Sequence, residues 1–269
     1  MNGIRPLALV TGASSGIGHA LARQLAERGH DLVVNAEDDI RLQVAAREFR
    51  EAGAEVEVVQ ADLSDPDRAE ALLARVEALG RPLEVAVLNA GVGRGGAFVE
   101  TELADELEII DLNIRSTVLL AKRILPAMVA RGEGRVLVTS SIAATMPGSF
   151  QAVYNASKSF LQSFAEALQN ELKDSGVTLT SLMPGPTETD FFHRADMDDT
   201  KVGRQHKDDP EQVAAQGLDA LFAGKPKRVA GSVRTKAQGL ADKVLPDRAK
   251  AQAHRTMAEP GSGRDQQDD

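Results

Sequence analysis

The stretch LALVTGASSGIGHALARQLAERG, residues 7–29, decides the fold class of this chain. It predicts a short apolar strand, a turn that contains Gly12, Gly16 and Gly18, and an amphipathic helix. Glycines in such a turn let the backbone approach a pyrophosphate, and the free N–H groups of the helix favour an anion there. Glycine also occurs in strand-to-helix turns for shape alone. Its place between a strand and a helix favours a nucleotide-binding turn.

Short apolar strands alternate with longer amphipathic helices along most of the chain. Parallel strands need crossover connections of this kind, and nearly continuous apolar strands are typical of a sheet that is covered on both faces. The pattern predicts an α/β fold with a doubly wound parallel sheet of about seven strands. The predicted strands are 7–10, 31–35, 55–61, 83–91, 135–141, 177–185 and 227–231, and the predicted helices are 19–29, 40–52, 65–80, 103–130 and 150–173.

The remaining segments suggest how the chain is divided. We expect residues 1–231 to form one dinucleotide-binding catalytic domain, with a loop or short lid helix at 191–209. Residues 232–258 predict two short, polar helices that break near Leu245 and Pro246 and pack on that domain as an extension. Residues 259–269 lack apolar anchors and predict a disordered acidic tail.

Composition excludes several classes of function. The 269 residues carry a net charge of −9 and no Lys/Arg stripe, which argues against nucleic acid and anionic membranes as partners. There is no cysteine, and the five histidines lack ligand spacing, so no metal site is expected. No apolar run approaches the roughly 20 residues of a membrane span, and the N-terminus lacks the apolar region of a signal peptide. We expect a cytoplasmic protein.

The second predicted strand ends in Asn35, Ala36 and Glu37, where a dinucleotide fold contacts the adenosine ribose. A carboxylate there accepts hydrogen bonds from the ribose hydroxyls of NAD. It repels the 2′-phosphate of NADP by about 2 kcal/mol at a separation of about 5 Å in bulk-water dielectric. Glu37 therefore favours NAD over NADP. Two alternatives stay open, because Arg41 lies close in sequence and because an acidic residue also stabilises the start of a helix.

The segment YNASK, residues 154–158, contains the only tyrosine of the chain, with a lysine four positions later. On a helix these two side chains share a face. A phenol has a pKa of about 10, too high for a base at neutral pH. An ammonium about 5 Å away stabilises the phenolate by about 3 kcal/mol at an effective dielectric of about 20, or roughly two pKa units. These residues alone fit either a proton-transfer pair or a half-buried tyrosine beside a surface lysine.

Seven motifs or residues occur together in one order along the chain. They are TGASSGIG at 11–18, AD at 61–62, NAG at 89–91, Asn113, Ser141, YNASK at 154–158 and PGPTET at 184–189. With them, residues 5–231 resemble the single-domain type of the short-chain dehydrogenase/reductase family, with its TGxxxGxG and YxxxK motifs. The resemblance implies a Rossmann-like fold and an enzyme dependent on NAD(P). One departure is Leu88, where the family often has a second asparagine before Ala-Gly.

The resemblance implies a catalytic set of four residues. Tyr154 would be the general acid/base, and Lys158 would lower its pKa and hold the nicotinamide ribose. Ser141 would polarise the substrate oxygen. Asn113 would kink its helix and hold a water that links Lys158 to solvent.

The same resemblance implies a set of cofactor contacts. Asp62 would bind the adenine amino group, Leu63 would line the base, and Thr189 would lie near the nicotinamide carboxamide or the phosphates. Each of these residues also has a purely structural interpretation in a turn, strand end or loop. The predicted contacts are Gly12, Ser14, Ser15, Gly16, Ile17, Gly18, Glu37, Asp62, Leu63, Asn89, Ala90, Gly91, Tyr154, Lys158, Pro184, Gly185, Thr187 and Thr189.

Apolar residues around the catalytic set suggest the substrate. Met146, Phe150 and Phe191, with Met197, predict an apolar pocket next to Ser141, although core packing explains them equally well. The predicted substrate is a small hydrophobic ketone or secondary alcohol, as for a 3-oxoacyl or other carbonyl reductase.

Two other functions and one kind of assembly complete the predictions. The alternatives are a non-catalytic sensor that binds a dinucleotide, and an epimerase or dehydratase that uses bound NAD. Helices 103–130 and 154–173 resemble those that form subunit interfaces in the family, so a homodimer or homotetramer is expected.

Overall fold

The computed structural model describes residues 5–241 and 246–263, and strands alternate with helices through these ranges. The strands are β1 (Leu7–Thr11), β2 (Asp31–Ala36), β3 (Val56–Gln60), β4 (Leu83–Leu88), β5 (Gly134–Thr139), β6 (Val177–Pro184) and β7 (Lys227–Ala230). The helices are α1 (Gly16–Glu27), α2 (Asp39–Glu51), α3 (Pro66–Ala78), α4 (Leu103–Ile109), α5 (Ser116–Arg131), α6 (Ala152–Glu171), α7 (Phe191–Arg194), α8 (Lys201–Arg204), α9 (Pro210–Phe222), α10 (Val233–Ala241) and α11 (Asp247–Ala258).

The seven strands form one parallel sheet in the order β3-β2-β1-β4-β5-β6-β7. Strand order runs in opposite directions on the two sides of the β1–β4 pair. In open parallel sheets such a reversal leaves a crevice at the carboxyl ends of the strands, where ligands bind. The predicted doubly wound, seven-stranded Rossmann-like fold with short C-terminal helices is confirmed.

Two apolar cores cover the two faces of the sheet. One packs α1, α2 and α9 against the sheet, and the other packs α3, α5 and α6 against the opposite face. Every residue of β1 and β2 is buried, which explains why most of their side chains are apolar on both faces of the sheet, with Thr11, Asp31 and Asn35 as the exceptions. Strand β3 lies at the sheet edge and is only partly buried.

The helix between β6 and β7 is absent from the sequence-based assignment. It is α9, and it supplies the crossover that two parallel neighbouring strands require. The sequence contains a start signal for α9. The Asp209 side chain accepts a hydrogen bond from the Glu211 N–H, and Pro210 occupies the first turn.

The predicted continuous helix 103–130 is divided into three segments. A π-helical segment at Ile110–Arg115 separates α4 from α5 and contains Asn113. The Asn113 Oδ1 accepts a hydrogen bond from the Val92 N–H at 2.9 Å, and its Nδ2 donates to the Val92 carbonyl at 3.0 Å. The extra residue per turn places this amide against the loop after β4.

The C-terminal region is more ordered than the sequence suggests. Helices α10 and α11 occur as expected, while Leu245 at the predicted break and residues 264–269 lie outside the described residues. The prediction of disorder is wrong for residues 259–263. The N–H groups of Gly261 and Gly263 donate to Asp199, each at 2.8 Å, and Ser262 accepts from the Lys201 N–H. Hydrogen bonds to the backbone, rather than apolar anchors, hold this turn in place.

The segment 191–209, predicted as a loop or short lid helix, contains two short helices, α7 and α8. Within residues 5–241 and 246–263, none of the helices is long and apolar enough to span a bilayer.

Candidate active site

A cleft of about 480 Å³ opens at the carboxyl ends of the strands, beside the β1–β4 pair. Every residue predicted to contact the cofactor lines this cleft, from Gly12 in the turn after β1 to Thr189 after β6. Ser141, Met146 and Phe191 from the predicted catalytic and substrate sets line it as well. The structure therefore brings these separate motifs together in one place.

The glycine turn forms the floor of the cleft. Gly12 and Gly16 have φ angles of +67° and +57°, a backbone region that strongly favours glycine. A Cβ atom on Gly18 would lie 2.1 Å from the Gly12 carbonyl oxygen, so no larger residue fits. Ser15 precedes α1 without a side-chain capping bond, which leaves the first N–H groups of the helix available to an anion. This turn fits a dinucleotide pyrophosphate.

Asn89 connects three strand ends beneath the cleft. Its Nδ2 donates to the Thr11 carbonyl at 3.1 Å, and its Oδ1 accepts from the Thr139 hydroxyl at 3.0 Å. The ends of β1, β4 and β5 are thereby joined. This side chain holds the glycine turn in position, while Leu88 before it is buried in the core.

Carboxylates dominate the end of the cleft beside β2. Burial raises the pKa of Glu108, and the nearby carboxylates of Glu37 and Asp62 raise it further. Arg41 is held by ion pairs to Asp190 at 2.5 Å and to Asp38 at 3.4 Å. The arginine that the sequence places near Glu37 is therefore already paired with two carboxylates.

Asp62 has a structural role in its own turn. Its carboxylate accepts hydrogen bonds from the Ser64 N–H at 2.9 Å and from the Ser64 hydroxyl at 2.8 Å. A carboxylate has about four acceptor positions, so it retains capacity for a further donor.

Ser141, Tyr154 and Lys158 meet in the centre of the cleft. Ser141 follows β5 and its side chain hydrogen-bonds to that of Tyr154, which lies in the first turn of α6. The Lys158 Nζ, one helical turn later, donates to the Thr139 carbonyl at 3.0 Å and lies 5.7 Å from the centre of the Tyr154 ring.

The predicted lowering of the phenol pKa by Lys158 is wrong for this structure. Burial raises the pKa of Tyr154 to about 12, and the hydrogen bond with Ser141 offsets this only in part. Burial also lowers the pKa of Lys158 to about 8. Both shifts have one physical cause, because removal from water penalises the phenolate and the ammonium alike. Tyr154 is therefore a protonated phenol at neutral pH.

Asn113 does not line the cleft and acts from behind it. Besides the two bonds to Val92, its Nδ2 donates to the Ser157 hydroxyl at 3.0 Å, beside Lys158 in α6. A Cβ atom on Gly91 would lie 3.0 Å from the Asn113 Oδ1 and 3.4 Å from the Lys158 Nζ, so both groups approach the NAG loop closely. The bound water that the resemblance implies for Asn113 stays a prediction.

The predicted substrate residues separate into two groups. Met146 and Phe191 line the cleft, and the Phe191 ring lies 5.1 Å from that of Tyr154. Phe150 and Met197 are not part of the lining, contrary to the prediction. They belong to an apolar cluster with Phe192 of α7. Phe150 has a φ of +62°, and the Arg255 guanidinium lies 5.1 Å from the centre of the Phe150 ring.

Helix α11 forms a wall of the cleft that the sequence-based assignment missed. Lys250, Ala253, His254 and Met257 all line it, at spacings that place them on one helical face. Only two of the four are apolar, so the helix lacks the apolar stripe that reveals a packed face. The spacing of these four residues on one helical face was the feature of the sequence that could have indicated a wall of the cleft.

The comparisons agree with this geometry. The short chain dehydrogenase family model matches residues 6–200. The chain is 32% identical over 203 residues to the 3-oxoacyl-[acyl-carrier-protein] reductase FabG of Escherichia coli (strain K12), covering 76% of this chain and 82% of that protein.

Solved structures resemble the fold as well. A short-chain dehydrogenase from Sphingobium yanoikuyae in complex with NADPH is similar with a TM-score of 0.78 and 29% identity, over 90% of this chain and 96% of that one. A short chain dehydrogenase/reductase from Burkholderia phymatum in complex with NAD is similar with a TM-score of 0.77 and 25% identity, over 88% and 91% of the two chains. The chain belongs to the short-chain dehydrogenase/reductase family and is an NAD(P)-dependent oxidoreductase.

Proposed function

We propose that this enzyme interconverts a ketone and a secondary alcohol, and that Tyr154 exchanges the proton with the substrate oxygen. The observation that carries the proposal is the meeting of Ser141, Tyr154 and Lys158 in the cleft that the glycine turn enters. The nicotinamide supplies the hydride in reduction and accepts it in oxidation.

The side chains divide the proton chemistry between them. The hydroxyls of Ser141 and Tyr154 lie side by side in the cleft, and both can donate a hydrogen bond to one substrate oxygen. Tyr154 gives its proton to the oxygen as that oxygen becomes an alkoxide. Because the pKa of Lys158 is lowered to about 8, its ammonium group can return a proton to the phenolate of Tyr154. At neutral pH a phenol with a pKa of about 12 is protonated, which is the form that donates the proton in reduction.

The cofactor preference follows from charge at the end of β2. Glu37 lines the cleft, and Glu108 and Asp62 add negative potential around it. Arg41, the arginine nearest to Glu37 in the sequence, is engaged by Asp38 and Asp190. These observations support NAD over NADP.

The substrate end of the cleft is mixed in character. Met146, Phe191 and Met257 supply apolar surface to the cleft that contains Tyr154 and Ser141. These walls support a hydrophobic carbonyl substrate of the 3-oxoacyl or other carbonyl reductase type.

Assembly and location are extensions of the same proposal. Leu107 on α4, Ile110 in the π-helical segment and Phe160 on α6 are partly exposed apolar side chains. Helices α4 and α6 pack together, so their apolar surface supports a second copy of the chain as partner. A cytoplasmic location stays a prediction from composition, as does the division into residues 1–231 and 232–258.

An absorbance assay tests the proposed reaction. NADH and NADPH oxidation are followed against a panel of ketones, aldehydes and quinones, with cofactor binding measured in parallel. We expect consumption of NADH with a hydrophobic ketone. Binding without turnover would indicate a sensor, and substrate conversion without net consumption of cofactor would indicate an epimerase or dehydratase.

A further inference from the structure

Helix α11 is fastened to the segment that joins Ser141 to Tyr154. The Lys250 Nζ donates to the Thr145 carbonyl at 3.1 Å, and the Ser149 hydroxyl donates to the Ala251 carbonyl at 3.2 Å. The His254 Nδ1 lies 2.9 Å from the Ser149 carbonyl oxygen. These bonds give the α11 wall a defined position relative to the catalytic hydroxyls.

The contact with Ser149 fixes the tautomer of His254. A carbonyl oxygen only accepts hydrogen bonds, so Nδ1 must carry the proton. Burial lowers the pKa of His254, which keeps the ring neutral at neutral pH. In a neutral ring with a protonated Nδ1, the Nε2 atom is an acceptor.

The Nε2 acceptor has no hydrogen-bond partner among residues 5–241 and 246–263. It is also not among the fully buried atoms that lack a partner there, so it remains accessible on a residue that lines the cleft. Of its neighbours on the α11 wall, Met257 and Ala253 offer no polar side-chain group, and the Lys250 ammonium carries donors only. A lone acceptor in such a wall suits a hydrogen-bond donor on the ligand.

We propose that His254 is a specificity residue that accepts a hydrogen bond from a second polar group of the substrate, a hydroxyl or an amide N–H. This rests on the proposed function, because it assigns the substrate class of the same cleft. The substrate is then a ketone with an apolar body and one donor group away from the reacting carbonyl.

Two variants separate the two nitrogen atoms of the ring. In His254→Asn, the side-chain amide N–H occupies the position of Nδ1 and retains the bond to Ser149, while the Nε2 position is lost. In His254→Gln, the amide reaches the Nε2 position and retains an acceptor there, while the bond to Ser149 is lost. Each variant is therefore the control for the other.

The assay uses two series of straight-chain methyl ketones of increasing length. One series ends in a hydroxyl group, and the other ends in a methyl group at the same chain length. Because a neutral hydrogen bond contributes about a tenfold effect at most sites, we expect the wild type to favour one hydroxyl-bearing ketone by about tenfold in kcat/KM. His254→Asn should abolish that preference, and His254→Gln should retain most of it.

Three results would overturn the inference. One is a wild type that reduces methyl ketones with no preference for the hydroxyl at any chain length. Another is the opposite pattern in the variants, with preference kept in His254→Asn and lost in His254→Gln, which would reduce His254 to a structural fastener of α11. The third is a wild type that reduces no ketone with either cofactor, in which case the proposed function fails as well. Failure of the inference about His254 alone is distinguished from this by ketone reduction that continues without the hydroxyl preference.

Discussion

Tyr154 and Lys158 are one helical turn apart, and burial moves their pKa values in opposite directions, so that they end far apart. The phenol, at about 12, holds its proton more firmly, and the amine, at about 8, holds its proton less firmly. The two residue types were evident from YNASK, but the sign of the shift was not. A sequence reveals the spacing of the two groups but not how much water surrounds them, and burial is the largest cause of both pKa shifts in this structure.

The phenol can be titrated directly, because the chain contains one tyrosine and no tryptophan. Near-ultraviolet absorbance of phenolate then reports Tyr154 alone. With a pKa of about 12, only about one per cent of the folded enzyme should carry phenolate at pH 10, since each pH unit below the pKa reduces the fraction tenfold. The same protein in urea should be about half ionised at that pH. Half-ionisation of the folded enzyme clearly below pH 10 would restore the original prediction that Lys158 lowers the pKa of the phenol.

At the scale of elements, the sequence predicted what depends on local periodicity. The strands and the glycine turn follow from apolar runs and from glycines at fixed positions, and the structure matches them within a few residues. The π-helical segment did not follow, because Asn113 makes its bonds to Val92, a residue 21 positions earlier in the chain. The cleft-facing side of α11 was missed for a related reason, since its function depends on a loop more than 100 residues earlier.

The end of β2 yields a prediction about cofactor choice. Replacement of Glu37 with Gln removes the charge that would face the adenosine ribose of a bound cofactor. At a separation of about 5 Å, that charge costs a 2′-phosphate about 2 kcal/mol, so the ratio of kcat/KM for NADH over NADPH should fall by at least about tenfold. Steady-state kinetics with both cofactors and one ketone provide the measurement.

Glu51→Gln is the matched control, because it removes the same charge from an exposed position at the end of α2. That variant should leave the ratio near the wild-type value. An equal change in both variants would assign the effect to net charge, and a wild type that prefers NADPH would contradict the prediction outright.

At the scale of the whole molecule, function depends on a cleft that no single segment contains. Strand order places the glycine turn and the NAG loop side by side, the segment after β6 covers them, and α11 closes the substrate end. The segment after β6 packs closely against the glycine turn, because a Cβ atom on Gly16 would lie 2.7 Å from the methyl carbon of Thr189. The family motifs could locate the cofactor end in advance, whereas the substrate end required the fold.

The apolar surface of α4 and α6 predicts self-association. Light scattering at micromolar concentration should give two or four times the chain mass of 28.6 kDa. The double variant Leu107→Lys with Phe160→Lys places two charges in that surface and should shift the protein toward monomer.

Ile40→Lys with Val44→Lys provides the control, since those residues are similarly exposed on α2, at 79% and 51%. This control should keep the wild-type mass. A wild type that is monomeric, or a control that dissociates as readily, would argue against the interface.

The most direct test of the central claim is the rate of NADH oxidation by Tyr154→Phe with a ketone that the wild type reduces. The substitution removes one hydroxyl and leaves the ring beside Phe191. General acid catalysis contributes about a hundredfold to ten-thousandfold, so kcat should fall by at least about a hundredfold while NADH affinity stays within about twofold. A variant that binds NADH and turns over near the wild-type rate would contradict the assignment of Tyr154 as proton donor.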